Sequence, residues 1–197
     1  MTFRIEEKLY IKSENLIDFK NFLAKKNPQK PYSSRKIRSL YFDNKNLDMH
    51  NDSVEGLVPR KKIRVRQYPN NEDLNYYLEI KNSSVEGRFK KREIITQKKF
   101  EQIAKIGILD NQYGSCFPNI IVEYSREYLI IKDVRVSIDT NIQYINYISN
   151  FRYNENKIIV ELKCNINKNS DEISKDFPFQ KIRFSKYSFA VESLNLR

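Results

Sequence analysis

Along most of the chain, apolar and polar positions alternate with a period of two, as they do in strands that bury one face. Over residues 3–11, Ile5, Glu7, Leu9 and Ile11 fall on one face and Arg4, Glu6, Lys8 and Tyr10 on the other. Over 35–43, Ile37, Ser39 and Tyr41 alternate with Arg38, Leu40 and Phe42. Over 60–68, Arg60, Lys62, Arg64 and Arg66 share one face, and Lys61, Ile63, Val65 and Gln67 the other. Residues 76–81 set Leu78 and Ile80 against Tyr77, Glu79 and Lys81, and residues 88–95 put Arg88, Lys90 and Arg92 on one face. Further strands are expected at 119–128, 133–139, 142–148 and 157–164. The last sets Ile158, Val160, Leu162 and Cys164 against Ile159, Glu161 and Lys163. Short strands joined by polar connections, such as 69–75 and 82–87, predict antiparallel neighbours.

Helical spacing appears in fewer places. Ser13 caps a stripe of Leu16, Ile17, Phe19, Phe22 and Leu23 that ends near Asn27-Pro28. Phe100, Ile103 and Ile106 predict a helix over 96–106 that Gly107 closes. A short helix is expected at 169–175 and a closing one at 185–194, with Ser185 as its cap. Residues 44–52 read as a turn or a single helical turn, holding His50 at the surface near a loop. With no linker, repeat or low-complexity stretch, the 197 residues are expected to form one α+β domain, 1–197.

Composition removes several kinds of chemistry. Cys116 and Cys164 are too few for a disulfide framework or zinc cluster, and the lone His50 excludes a His-based metal site and a Ser-His-Asp triad. Asp and Glu remain as metal ligands, and they suit hard ions such as magnesium or manganese. The charged N-terminus lacks a signal segment and no apolar run is long enough to span a membrane, so a soluble cytoplasmic protein is expected.

The charge then sharpens the reading. Lys and Arg number 36 and Asp and Glu 25, a net of +11, and much of the excess lies in every-other-residue rows on strands. An open sheet with one wet face accounts for each strand alone. A closed barrel with a charged, water-filled interior accounts for the rows together: Lys62, Arg64 and Arg66 would share an enclosed channel with Arg88, Lys90 and Arg92. Acids recur with the bases, at Glu6, Glu79, Glu161, Glu123 and Asp139. Bases and acids so mixed can grip a polyanion and its divalent metal together. Such a charge balance also suits nucleic acid. The chain lacks a glycine-rich phosphate loop, a zinc finger and a single-strand stacking motif, which weighs against a nucleic-acid partner.

In this setting the chain resembles the VTC domain, the polyphosphate polymerase domain of the triphosphate tunnel (CYTH-like) superfamily. The matching residues run in order from 4 to 187: Arg4-Ile5-Glu6-Glu7-Lys8, Arg38-Ser39-Leu40-Tyr41-Phe42-Asp43, Lys62-Ile63-Arg64-Val65-Arg66 and Leu78-Glu79-Ile80-Lys81. Lys90-Lys91-Arg92, Tyr124-Ser125-Arg126, Val134-Arg135-Val136-Ser137-Ile138-Asp139, Glu161-Leu162-Lys163 and Phe184-Ser185-Lys186-Tyr187 complete the set. The resemblance implies a closed antiparallel barrel of about eight strands with flanking helices, binding triphosphate or polyphosphate with manganese or magnesium. It implies transfer of the gamma-phosphoryl of ATP to a polyphosphate chain. Lys8, Arg64, Arg66, Lys81, Lys90, Arg126, Arg135 and Lys186 match basic phosphate-binding positions, and Glu161 matches the metal-binding glutamate. Lys62, Arg92, Glu6 and Lys163 line the same strands. Arg64, Arg66, Lys90, Arg126 and Arg135 are expected to clamp the phosphates, with Glu6 and Glu79 as further metal candidates. Arg4 stands where the wider superfamily often has the first acid of Glu-x-Glu-x-Lys. This favours the VTC branch over thiamine-triphosphatase or adenylyl-cyclase types. Asn44 stands where the branch often has Thr. Hydrolysis of a triphosphate, with Glu6 or Glu79 activating water, and noncatalytic polyphosphate binding are the rival expectations. The chain is expected to act alone or with a membrane partner on a separate chain.

Overall fold

The computed structural model describes residues 4–69, 75–165 and 170–196. Most of the turn expected at 69–75 lies outside them, as do Phe3 of the first expected strand and Asn169 of the short helix. The alternating segments form β1 (Arg4–Lys12), β2 (Arg35–Asp43), β3 (Arg60–Gln67), β4 (Tyr76–Ser84), β5 (Gly87–Ile95) and β10 (Lys157–Asn165). The helical stripes form α1 (Leu16–Ala24), α3 (Gln97–Ile106), α4 (Ser170–Asp176) and α5 (Lys186–Ser193). Short β6 (Ile108–Asp110) and β9 (Arg152–Glu155) are additions. β7 (Gly114–Ile131) outruns the strand expected at 119–128, and β8 (Val134–Asn146) joins into one strand most of two expected segments.

Residues 48–55 form an eight-residue helix, α2 (Asp48–Glu55), longer than the turn or single helical turn expected there. Its start is satisfied from upstream. Asp43 accepts the Met49 and His50 backbone N–H groups at 3.1 and 3.0 Å, and the Asn44 side chain accepts that of Asp48 at 3.0 Å. Those donors would otherwise be orphaned at a helix N-terminus. The helix carries His50 inward, so the histidine expected at the surface is fully buried.

The strand order is β1-β10-β8-β7-β2-β3-β4-β5, with β6 on β7 and β9 on β8. This path has two ends, β1 and β5, so the expected closed antiparallel barrel is corrected to an open β-sheet with flanking helices. The rows of charge lie on an open sheet rather than in an enclosed channel. Alternation fixes which face of each strand is wet; it does not decide whether the first and last strands meet.

The chain forms two compact units, each assembled from separated stretches. The first comprises Met1–Arg35, Tyr124–Ile142 and Glu155–Phe184; the second comprises Lys36–Glu123, Gln143–Asn154 and Ser185–Arg197. In the first, Phe19 and Leu23 of α1 join Leu9, Ile11, Val136, Ile138, Val160, Leu162 and Phe177 in a core. Each such side chain contributes roughly 1.5–3 kcal/mol by leaving water. In the second, Leu40, Phe42, Ile63, Val65 and Ile95 pack with Ile103 of α3, and Phe100 stacks on Tyr76 with ring centroids 4.4 Å apart. Both cysteines are free and buried. No described helix is long and apolar enough to cross a membrane.

Candidate functional site

In the second unit, register brings the separate rows onto one face. Lys62 lies opposite Lys81 and Lys81 opposite Lys90; Arg64 lies opposite Glu79 and Glu79 opposite Arg92; Arg66 lies opposite Tyr77. Directly opposed residues point to the same side of a sheet, so Lys62, Arg64, Arg66, Lys81, Lys90 and Arg92 share a face with a single carboxylate.

That carboxylate, Glu79, is fully buried. Arg64 donates to its Oε2 from Nε at 2.8 Å and from Nη2 at 2.6 Å, and the Lys90 ammonium donates to Oε1. Arg92 Nε stands 3.6 Å from Oε1 and Arg66 Nη1 3.9 Å from Oε2. Burial by itself would raise the Glu79 carboxyl; the charges of Arg64, Arg66 and Lys90 overcome it and hold it at about 2. Burial also pushes the Lys90 ammonium below its usual range, against the pull of Glu79.

Neutral side chains aim the cations. Tyr41 Oη accepts from Arg64 Nη1 at 2.8 Å, and Ser39 Oγ from Arg66 Nε at 3.2 Å. The Arg92 guanidinium lies 3.8 Å from the centre of the Tyr77 ring. Lys62 donates to Ser185 Oγ at 2.7 Å, and Ser185 in turn caps α5 by accepting the Ser188 N–H at 3.3 Å. Lys186 opens that helix. Behind Tyr41, the Tyr187 ring stacks at 5.1 Å and its hydroxyl donates to Asp43 at 2.7 Å while accepting from Asn119 at 2.8 Å. Arg88 lies opposite Ser83 and is exposed, as is Lys81.

The first unit carries its own mixed face. Glu6 opposes Lys163 and Lys163 opposes Arg135; Lys8 opposes Glu161; Ile159 opposes Asp139. Arg126 donates to both oxygens of buried Asp139, at 2.5 and 2.7 Å, and approaches Glu161 Oε2 at 3.5 Å. Lys163 stands 3.2 Å from Glu161 Oε1, and Lys8 donates to the Phe184 carbonyl at 2.6 Å. Arg135 is exposed. Burial, then a hydrogen bond and charge from Glu161, raises the Glu6 carboxyl. Glu161 goes the other way: burial opposes its ionisation, but the hydrogen bond from Glu6 and the charges of Lys163, Arg126 and Lys8 hold it well below the carboxylate range.

Among the described residues, no three His, Cys, Asp or Glu side chains gather as a metal-holding group. The Glu6–Glu161 pair still fits a hard divalent ion by donor chemistry. Magnesium in particular is commonly held by one or two carboxylates, with waters and phosphate oxygens filling the rest. Glu79, the other acid singled out from the sequence, has both oxygens engaged by cations. Asp139 is engaged by Arg126, and Glu123 is paired with Arg38. The aiming residues Ser39, Tyr41 and Tyr77 were not singled out as site residues. Their parity on strands is the available signal, and it acquires meaning only once β2, β3 and β4 are in register.

The VTC domain family model matches residues 3–114 and 100–195. Among solved structures, a proposed adenylate cyclase from Bacillus halodurans superposes with a TM-score of 0.62 at 11% identity, covering 93% of this chain and 94% of that one. A proposed adenylate cyclase from Vibrio parahaemolyticus gives 0.58 at 11% identity, covering 97% and 98%. A conserved hypothetical protein from Pyrococcus furiosus gives 0.53 at 19%, covering 99% and 92%. Such identities speak for a shared fold alone. A search of curated proteins finds no match.

Proposed function

The chain belongs to the VTC domain family, and from that membership we infer that it handles triphosphate or polyphosphate, and that it moves the gamma-phosphoryl group of ATP onto a polyphosphate chain. The observation that carries this reading is the cluster around Glu79. Six cations share one face with one buried carboxylate, and such an excess attracts an anion of high charge density.

Arg64, Arg66, Lys90 and Arg92, with Lys62 and Lys81, grip phosphoryl oxygens. Glu79 holds Arg64, Arg66, Lys90 and Arg92 close together before the ligand arrives. Donors fixed in advance need no reorganisation when charge develops on a transferring group. A carboxyl held at about 2 stays ionised and makes a poor base, so Glu79 acts by position. In the first unit, Arg126, Arg135, Lys8 and Lys163 provide the cations, and Lys186 adds one to the second unit. Glu161, with Glu6, is the place for manganese or magnesium. When bound, the ion supplies neutralisation of phosphoryl oxygens. The acceptor is itself an anionic phosphate, so transfer depends on positioning and charge rather than on a protein base.

The test is purified protein incubated with ATP and manganese, with products resolved by chain length on a gel. Longer polyphosphate is the expected product. Orthophosphate without chain growth would make the protein a hydrolase. Tight tripolyphosphate binding with no product would make it a binding module.

A further inference from the structure

The cationic face of the second unit changes character along its strands. Register divides it into three lines that run across β3, β4 and β5. Lys62, Lys81 and Lys90 form the first, Arg64, Glu79 and Arg92 the second, and Arg66, Tyr77 and Ile94 the third. The face thus passes from three lysines to one arginine beside an aromatic and an aliphatic side chain. Four residues of strand separate the first line from the third, a distance of about 13 Å. At the apolar end, Ile94 is 62% exposed. Next to it, Arg92 is held as a fixed plane. Its guanidinium lies 3.8 Å from the centre of the Tyr77 ring, Nη2 reaches Tyr68 Oη at 3.5 Å, and Nε stands 3.6 Å from Glu79 Oε1. Tyr68 meets Tyr77 edge-on, with ring centroids 5.7 Å apart. One face and two edges of the guanidinium are therefore engaged, yet the Arg92 side chain is still 41% exposed.

We propose that this corner is a nucleobase subsite, in which the base of a nucleoside triphosphate stacks on the open face of Arg92 and lies against Ile94. Stacking uses the guanidinium plane rather than its N–H groups, so the pairing of Arg92 with Glu79 does not compete with the base; it fixes the plane on which the base lands. Tyr77 backs that plane from the other side, which makes a layered stack of ring, guanidinium and base. The triphosphate then runs from the Arg64–Arg92 line toward Lys62, Lys81 and Lys90, and its terminal phosphoryl, the group to be transferred, lies at the lysine end. The subsite rests on the triphosphate reading and adds an orientation and a preference to it. Every base has a π-face, so stacking tolerates different bases. Purines, with the larger ring system, are favoured over pyrimidines, and adenine and guanine are accepted alike.

The experiment is calorimetry on the full chain without metal, comparing ATP, CTP and methyl triphosphate, which carries the charge of ATP and no base. Wild type should bind ATP about tenfold more tightly than methyl triphosphate, with CTP between them. Arg92→Lys keeps the charge beside Glu79 and removes the plane. Because Arg92 also serves the phosphates, the readout is the ratio: the advantage of ATP over methyl triphosphate should fall to about twofold or less. Ile94→Ala, at an exposed position, should weaken ATP by about threefold and leave methyl triphosphate within about twofold. Nuclear Overhauser contacts are expected from adenine H2 and H8 to the Ile94 methyl groups. Equal binding of ATP and methyl triphosphate by wild type would overturn the subsite, as would equal losses for both ligands in the variants or adenine contacts that exclude Ile94. In each of those results methyl triphosphate still binds and the triphosphate reading stands. Wild type that binds neither ligand would overturn that reading and the subsite with it.

Discussion

Replacing Glu79 with Gln keeps the shape of the side chain and removes the charge that Arg64, Arg66, Lys90 and Arg92 share. The folded carboxyl sits at about 2 against an ordinary 4.5, a difference on the order of 3 kcal/mol. Because the folded value is depressed, this stabilisation is complete above the unfolded value and is lost as pH falls through the folded one. E79Q should therefore lower the melting temperature near neutral pH by roughly 10 °C and flatten the acid limb of stability between pH 4.5 and 2. Added tripolyphosphate should raise the variant's melting temperature by more than it raises that of the wild type, since the ligand supplies the missing negative charge. No such excess in thermal melts would remove Glu79 from the centre of the cluster. Arg66 gives a second test at this scale. It is only 7% exposed and hydrogen-bonded to Ser39, whereas Lys98 lies exposed on α3. A buried charged hydrogen bond is worth roughly 1.5–3 kcal/mol and an exposed charge much less. Calorimetry should show Arg66→Ala losing at least about tenfold in tripolyphosphate affinity, and Lys98→Ala within about twofold.

Two helix ends make predictions of their own. Ser185 caps α5 and also accepts from Lys62, so one hydroxyl serves both the helix and the cationic face. Ser185→Ala should cost about 1 kcal/mol in chemical denaturation and weaken tripolyphosphate as well. Ser185→Thr, which keeps the oxygen, should restore both. At the other end of a helix, Gly107 follows α3 with φ at +85°, and a Cβ there would lie 2.7 Å from the Cys116 carbonyl oxygen. Strain in the left-handed region and the clash act together, so Gly107→Ala should destabilise by more than about 1 kcal/mol. A denaturation midpoint equal to wild type would contradict the contact between this turn and β7.

For the molecule as a catalyst, Glu161→Gln tests the first unit. If Glu161 holds the divalent ion, the variant should lose on the order of a hundredfold to a thousandfold in metal-dependent turnover. Metal-free tripolyphosphate binding should persist, because a negative charge has been removed from among Lys8, Arg126 and Lys163. Undiminished chain extension at limiting manganese would remove Glu161 from the reaction. The net charge of +11 adds a long-range term, so association with tripolyphosphate should slow as salt rises and the screening length shortens.

Local spacing settled which residues share a strand face. The rows Lys62–Arg64–Arg66 and Arg88–Lys90–Arg92, the acids at Glu6, Glu79 and Glu161, and most strand and helix positions are legible in it, because side-chain direction repeats every two residues in a strand and every 3.6 in a helix. The ordered motifs also carried the family. Tertiary structure decided what those faces meet. Register placed Glu79 among cations from two neighbouring strands and set Glu6 beside Glu161 with opposite shifts in acidity. It left Arg88 and Arg135 exposed. Capping by Asp43 and Asn44 extended an expected turn or single helical turn into α2, which buries His50. The strand path stayed open between β1 and β5. Each of these depends on contacts between residues far apart in the chain, and a period of two is the same whether a strand lies inside a sheet, at its edge or in a closed ring.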